Sequence, residues 1–200
     1  EEKDESEILH QLELQGIRRG AKTKSHALAA MLRRGLRLSG ILSKKRNADG
    51  AIDFEFPECK ILLDEQGRVK AIEPYERNAA TMMIENFMVA ANETVAEHFY
   101  WLGIPFVYRT HGVPTEEKME QLREFVRCYG YRLRWDHGDV HPKELQALLS
   151  ELKGKPEEAT ISVMTLRSMQ RAMYTTTCGG HFGLALRYYC HFTSPIRRYP

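Results

Sequence analysis

The segment from Asn78 to Trp101 constrains this chain most, because its pattern suits one long helix and little else. Ala79, Met83, Phe87, Ala90, Thr94 and His98 recur at helical spacing, while Glu85, Asn92, Glu93 and Glu97 lie off that stripe. Gly103 and Pro105 mark its end. A helix of this kind needs a partner for its apolar face, and the flanking sequence offers short strands. Ala51-Ile-Asp-Phe-Glu-Phe-Pro57 alternates apolar and polar residues, as a half-buried strand closed by proline does. Lys60–Asp64 and Arg68–Glu73 flank the hairpin-type loop Glu65-Gln-Gly67, so a small antiparallel sheet is expected over roughly 51–73.

Further helices are expected on both sides. Ser6 to Leu42 is helical in spacing, either as one helix or as two broken near Gly16–Lys24. The charged stretch Lys44–Gly50 is expected to be a loop, read as a solvated linker or as an RNA contact. After a short strand at Phe106–Arg109, helices are expected at 115–129 with Thr115 as N-cap, from Pro142 to Leu152, and from Glu157 to Met173. Gly183–Cys190 is β-prone. The expected class is α+β, with helices packed on a small, mostly antiparallel sheet.

Composition excludes several alternatives. Two hundred residues, 42% hydrophobic and 28% charged, suit one globular domain or part of a larger one rather than a disordered or fibrous chain. The net charge of +2 argues neither for nor against a nucleic-acid partner, so any such case rests on where charges sit. No apolar run approaches the ~18–20 residues of a membrane span. The acidic N-terminus EEKDESEILH lacks the apolar core of a signal peptide, and a cytoplasmic protein is expected. Cys59, Cys128, Cys178 and Cys190 form no CxxC pair and are expected as free thiols. Cys178-Gly-Gly-His181 lacks the second pair that a zinc site needs.

The last residues carry the densest chemistry. Ser194 followed by Pro195 has the form of a helix start, which places Arg197 and Arg198 in the first turn. Cations there oppose the helix dipole. Two readings stand on local physics alone: an anion such as a phosphate held by the arginines, or a surface arginine paired with a carboxylate.

Motifs decide between them. His191-Phe-Thr-Ser-Pro-Ile-Arg-Arg-Tyr-Pro200, preceded by Gly180-His-Phe-Gly-Leu-Ala185, resembles the catalytic domain of the ribonuclease II family of processive 3′→5′ exoribonucleases. Glu85-Asn-Phe-Met-Val-Ala-Ala-Asn-Glu-Thr-Val-Ala-Glu-His98, upstream of Pro105-Phe-Val-Tyr-Arg-Thr-His111, is a second match, and Gly50-Ala-Ile-Asp-Phe-Glu-Phe-Pro57 a third. They stand in family order and cover at least residues 50–200.

The resemblance implies hydrolysis of RNA from a single-stranded 3′ end to nucleoside 5′-monophosphates. Mg2+ would be held by a cluster of aspartates and would activate water. Scattered acids such as Asp53 with Glu55, or Asp136 with Asp139, make no convincing substitute for that cluster, so no metal ligand is assigned within the chain. Residues 1–200 are therefore expected to be a partial catalytic domain, inactive alone. The aspartate segment and the flanking RNA-binding barrels are expected outside it. The resemblance implies a monomer acting without a membrane. The rival expectation is a non-catalytic RNA-binding module, and closely spaced aspartates ahead of Glu1 would favour the enzyme.

Four residues receive roles from the resemblance. Arg197 matches the arginine that grips the scissile phosphodiester, and Arg198 is a neighbouring phosphate contact. Phe54 matches an aromatic that stacks on a base near the 3′ end, core packing being its other reading. Glu85 matches an acid contacting a nucleotide, although Asn86 stands where the family commonly has a second glutamate, leaving the assignment open by one residue. His98 is expected in the core, and His181 and His191 are open between structural and phosphate-contacting roles. Of Tyr188 and Tyr189, at most one is expected to reach a channel.

Overall fold

The computed structural model describes residues 22–53, 59–74, 77–135, 140–196 and 198, with the backbone alone for 22–27. Its described elements run α1 (Lys22–Asp49), β1 (Cys59–Leu63), β2 (Val69–Pro74), α2 (Ala79–Leu102), β3 (Tyr108–Thr110), α3 (Glu116–Cys128), α4 (Pro142–Leu152), α5 (Glu158–Ser168) and β4 (Met173–Thr175), then a single 3-10 turn at Phe182–Leu184. The class is α+β, with two two-stranded antiparallel sheets, β1–β2 and β3–β4. Two compact units are present: Glu1–Leu42 with Glu55–Phe87, and Ser43–Phe54 with Met88–Pro200. Among the described residues no helix is long and apolar enough to cross a membrane.

In the first unit the hairpin follows expectation. Cys59 pairs with Pro74, Lys60 with Glu73 and Ile61 with Ile72. The connecting turn is organised by Asp64, whose Oδ1 accepts from the backbone N–H of Gln66 at 3.0 Å and of Arg68 at 2.8 Å. The expected strand over 51–57 is not there for Ala51, Ile52 and Asp53, which lie outside any strand, and Phe54–Glu58 fall outside the described residues. Ile52 N–H instead donates to Gly183 O at 2.8 Å in the second unit, a loop bond in place of a sheet ladder.

Helix α1 departs from expectation at its C-terminal end. The expected stretch before residue 22 lies outside the described residues, and from there the helix runs unbroken through Gly35 and Gly40. It also includes Lys44–Asp49, expected as a loop. Lysine, arginine and alanine are good helix formers, and the helix ends where Gly50 takes φ +100°. Gly50 N–H donates to Asn47 O at 3.1 Å and Ala51 N–H to Arg46 O at 3.0 Å, the paired bonds of a Schellman cap.

Helix α2 matches its expected span. Asn78 Oδ1 accepts from Thr81 N–H at 2.9 Å and caps the start, and Gly103 at φ +66° ends it. Its buried face is different from the expected stripe: Met83, Asn86, Val89, Asn92 and Ala96 are inside, while Thr94 and His98 are exposed. The core reading of His98 is thereby corrected. The physical reason is that both asparagines are hydrogen-bonded, so polar residues carry part of the buried face at little cost. Asn86 Nδ2 donates to Ser39 Oγ at 2.8 Å in the first unit.

The main core of the second unit joins three helices. Met119, Leu122 and Val126 of α3 recur at three and four residues and are fully buried, as are Leu145 and Leu152 of α4 and Ile161 of α5. Each such side chain contributes about 1.5–3 kcal/mol when taken from water. Pro142 opens α4 at its first turn, as expected, and His141 Nδ1 accepts from Lys143 N–H at 3.2 Å. Thr115 precedes α3 but makes no side-chain cap bond.

Two other expectations fail in this unit. Helix α5 ends at Ser168 rather than Met173, because Met169 turns extended and Met173–Thr175 pairs with Tyr108–Thr110. Gly183–Cys190 is no strand: Ala185 sits left-handed at φ 52°, and Leu186, Tyr188, Tyr189 and Cys190 are buried without alternation. Tyr188 and Tyr189 nevertheless join different clusters, with Ala96 and Tyr108 for the first and Val89 and Leu186 for the second. At the expected helix start, Arg198 N–H donates to Pro195 O at 2.9 Å and closes a turn, while Arg197, Tyr199 and Pro200 lie outside the described residues.

Candidate functional site

In the second unit the short β3–β4 sheet and the segment 180–193 assemble a row of rings. The sheet places Arg109 opposite Tyr174, with the guanidinium carbon 4.6 Å from the ring centre. Tyr174 Oη lies 2.8 Å from His191 Nδ1. His191 packs against Tyr189 at 5.7 Å, Tyr189 against His181 at 5.1 Å, and His181 against His111 at 4.9 Å between centroids. Each contact is edge-on, the arrangement that ring quadrupoles favour.

The backbone holds this row in place. Arg109 N–H donates to Tyr189 O at 2.9 Å, and His111 N–H to Gly180 O at 3.0 Å. His111 Nδ1 accepts from Gly183 N–H at 3.0 Å, which leaves Nε2–H to donate to Gln170 O at 2.8 Å. Glycine lets the two approach closely, since a Cβ at 183 would stand 3.0 Å from that same Nδ1 and 3.2 Å from Cε1, so the imidazole would have to shift. His181 Nδ1 accepts from Leu184 N–H at 3.2 Å.

The three imidazoles are kept neutral. Burial pushes His181 down to about 3, helped by the neighbouring His111 and Arg109. Burial, then Arg198 and Arg109, push His191 down to about 4. Burial lowers His111 as well. Burial raises the Tyr189 hydroxyl, while its bond from Asn92 and the field of Arg198 act the other way. His111 and Tyr189 are buried, so only the more exposed end of the row, Tyr174 and His191 with Arg109 and Arg198, presents aromatic rings beside permanent cations, an arrangement suited to a polyanion with aromatic faces.

Of the four residues given roles from the sequence, the structure describes two. Arg198 Nη1 lies 3.4 Å from His191 Nε2, so the arginine-bearing turn reaches the ring row. Glu85, in the first unit, is half-buried and takes a bidentate contact from Arg77 Nη2 at 3.0 and 2.9 Å. Asn86 beside it points into the buried contact with Ser39. Phe54 and Arg197 lie outside the described residues. Arg109, Tyr174, Asn92 and His111 carry no role in the sequence reading; His111 closes one of the quoted motifs, which was the available signal. Arg46, read with a charged loop, sits near the end of α1, and among the described residues nothing accepts from its buried Nε.

All four cysteines are free thiols, and Cys178 Sγ donates to Arg187 O at 3.4 Å. Among the described residues no group of three or more His, Cys, Asp or Glu side chains could hold a metal ion.

Comparison with known proteins gives a consistent set of likenesses. The family described as RNB domain matches residues 6–200. Ribonuclease R of Aquifex aeolicus is 49% identical over 160 residues, which make up 80% of this chain and 23% of that protein. Ribonuclease R of Thermotoga maritima is 47% identical over 164 residues, 82% of this chain and 23% of that protein. The chain thus spans about a quarter of the length of these relatives. Among solved structures, Mycoplasma genitalium RNase R in complex with ribose-methylated single-stranded RNA has a TM-score of 0.82 at 28% identity, covering 96% of this chain and 29% of that one. Yeast Ssd1, a pseudonuclease, has a TM-score of 0.54 at 28% identity over 62% of this chain and 16% of that one.

Proposed function

The chain belongs to the RNB-domain family, and from that membership we propose that it forms part of the catalytic domain of a 3′→5′ exoribonuclease that hydrolyses RNA to nucleoside 5′-monophosphates. The observation that carries the reading is the likeness, over nearly the whole chain, to an RNase R holding single-stranded RNA. Tyr174 and His191, at the more exposed end of the ring row, support it with the flanking Arg109 and Arg198, because aromatic faces and guanidinium forks together suit a single strand without reading its sequence.

Under this reading Arg197 grips the scissile phosphodiester and stabilises the charge that develops on it. Arg198 contacts a neighbouring phosphate, Phe54 stacks on a base near the 3′ end, and Glu85 contacts a nucleotide. Glu85 faces Arg77, so its carboxylate enters such a contact with its charge already compensated. The protein works in the cytoplasm as a monomer on single-stranded 3′ ends.

Magnesium is the cofactor this reaction class implies, where it would polarise the phosphate and activate water. The described residues do not fit a magnesium site, so no step is derived through the ion. The reading assigns its carboxylates to chain outside residues 1–200.

A second reading, an RNA-binding module without catalysis, is favoured by the likeness to the pseudonuclease Ssd1. The test is release of nucleoside monophosphates from 3′-labelled single-stranded RNA by the full-length protein in Mg2+. Stepwise release supports the exoribonuclease. Tight RNA binding with the label retained establishes the second reading in its place.

A further inference from the structure

The geometry points to Asn92 as a positioning residue that ties the Tyr189–Thr193 segment to α2 and thereby sets where the arginine-bearing turn Pro195–Arg198 stands. This rests on the exoribonuclease reading for its catalytic consequence, but the tie itself is visible in the second unit.

Asn92 is 3% exposed, so its amide must find partners inside the protein. It finds them in one segment. Nδ2 donates to Tyr189 Oη at 3.3 Å. Oδ1 accepts from Thr193 N–H at 3.0 Å and from Thr193 Oγ1 at 3.1 Å. The backbone carbonyl of Asn92 accepts from Cys190 Sγ at 3.2 Å. One residue of α2 thus holds three residues of a segment that contains no helix or strand of its own.

The direction of the carboxamide makes the tie specific. Its oxygen takes two donors from Thr193 while its nitrogen serves the tyrosine hydroxyl, so a side chain of equal size lacking either end loses one side of the clamp. Thr193 is two residues ahead of Pro195 and its turn, and the ring of Tyr189 packs against His191, the imidazole facing Arg198. A displacement at Thr193 therefore reaches Arg198 with little chain between to absorb it. Geometry at a phosphate-stabilising group matters for rate far more than for affinity, which is shared along the strand.

Asn92→Leu keeps volume and removes every side-chain bond; Asn92→Asp keeps the acceptor for Thr193. In the full-length protein, Asn92→Leu is expected to lower kcat at saturating RNA about tenfold or more, with RNA affinity within about threefold, and Asn92→Asp to recover a measurable part of that loss. Amide exchange supplies a readout independent of activity: Thr193 N–H is expected to exchange at least about tenfold faster in Asn92→Leu, with Leu122 N–H in the main core unchanged. Should Asn92→Leu fail to fold, Thr193→Val, which removes one bond only, is expected to show the same kcat-specific loss in smaller measure. Unchanged kcat in a folded variant with unchanged Thr193 exchange overturns the proposal, as does equal loss of kcat and affinity. A wild-type protein that leaves RNA intact overturns the exoribonuclease reading instead, and the exchange result then decides the tie alone.

Discussion

His191 Nε2 and Arg198 Nη1 stand 3.4 Å apart, and since a guanidinium has no acceptor, the imidazole presents a bare nitrogen to it. Its proton then resides on Nδ1 and is donated to Tyr174 Oη at 2.8 Å. That tyrosine lies under Arg109. A protonated His191 would set a cation against Arg198 and lose the bond, which is why the same two arginines that flank the row also help burial depress its pKa to about 4.

The buried imidazoles make folding stability depend on pH in a definite direction. The folded-state values of about 3 for His181 and about 4 for His191 lie below the ordinary 6.5. The unfolded chain therefore takes up protons first as pH falls through 6.5, and stability present at pH 7 and above declines toward pH 4. His181→Asn keeps an acceptor for Leu184 N–H and removes one titrating ring. Thermal melts between pH 7 and pH 5, above most carboxylate titration, are expected to show a smaller fall for His181→Asn than for wild type. Equal falls would remove His181 from this account.

What the sequence revealed and what it hid divide along physical lines. The β1–β2 hairpin, α2, α3 and α4 were legible because each is written locally, in periodicity, a turn glycine or a proline at a helix start. The end of α1 was not, because Gly50 reads as a turn whether it follows a loop or caps a helix. The segment 183–190 was misread because its apolar run feeds separate clusters around a left-handed Ala185, which strand propensity cannot foresee. Asn92 was placed off the buried face of α2, since its partners lie 97 and 101 residues away in sequence. Arg198 and His191 share one motif, but Arg109 and Tyr174 come together only through the pairing of β3 with β4.

Two glycines, one within α1 and one at its cap, should respond oppositely to alanine. Gly50 has φ +100°, and a Cβ there would stand 3.0 Å from Lys143 N and 2.6 Å from its Cγ. Gly50→Ala is expected to destabilise by at least about 1–2 kcal/mol from the backbone conformation alone. Gly40 lies within the helix, and a Cβ there would meet nothing within 4 Å. Gly40→Ala is expected to stabilise by about 0.5–1 kcal/mol. Urea unfolding of both variants checks the pair, and a Gly50→Ala protein as stable as wild type would refute the cap.

Phe54 separates stacking from packing by substitution. A base stacked on an aromatic face gains about 1–3 kcal/mol whatever its identity. In the full-length enzyme Phe54→Ala should alter the length of the shortest retained products with little sequence bias, and Phe54→Tyr or Phe54→Trp should preserve more function than Phe54→Leu. Core packing predicts the reverse tolerance, together with a stability loss of about 3–5 kcal/mol in Phe54→Ala. End-product length and melting temperature on the four variants decide, and a large stability loss with unchanged products would take Phe54 off the RNA path.

Arg197 should act on rate rather than on affinity. A donor aimed at charge that develops in the transition state is worth about 10²–10³ in kcat when removed. Arg197→Ala in the full-length enzyme should lower turnover at saturating RNA by roughly that factor, with a much smaller fall in RNA affinity because other phosphate contacts remain along the strand. Arg197→Lys should recover only part, since an ammonium lacks the planar fork that meets two phosphate oxygens at once. Single-turnover rates at saturating RNA, set beside dissociation constants measured without Mg2+, separate the two effects. Turnover unchanged at saturation, with affinity lowered, would make Arg197 a binding residue alone and shift the search for the transition-state donor to its neighbours.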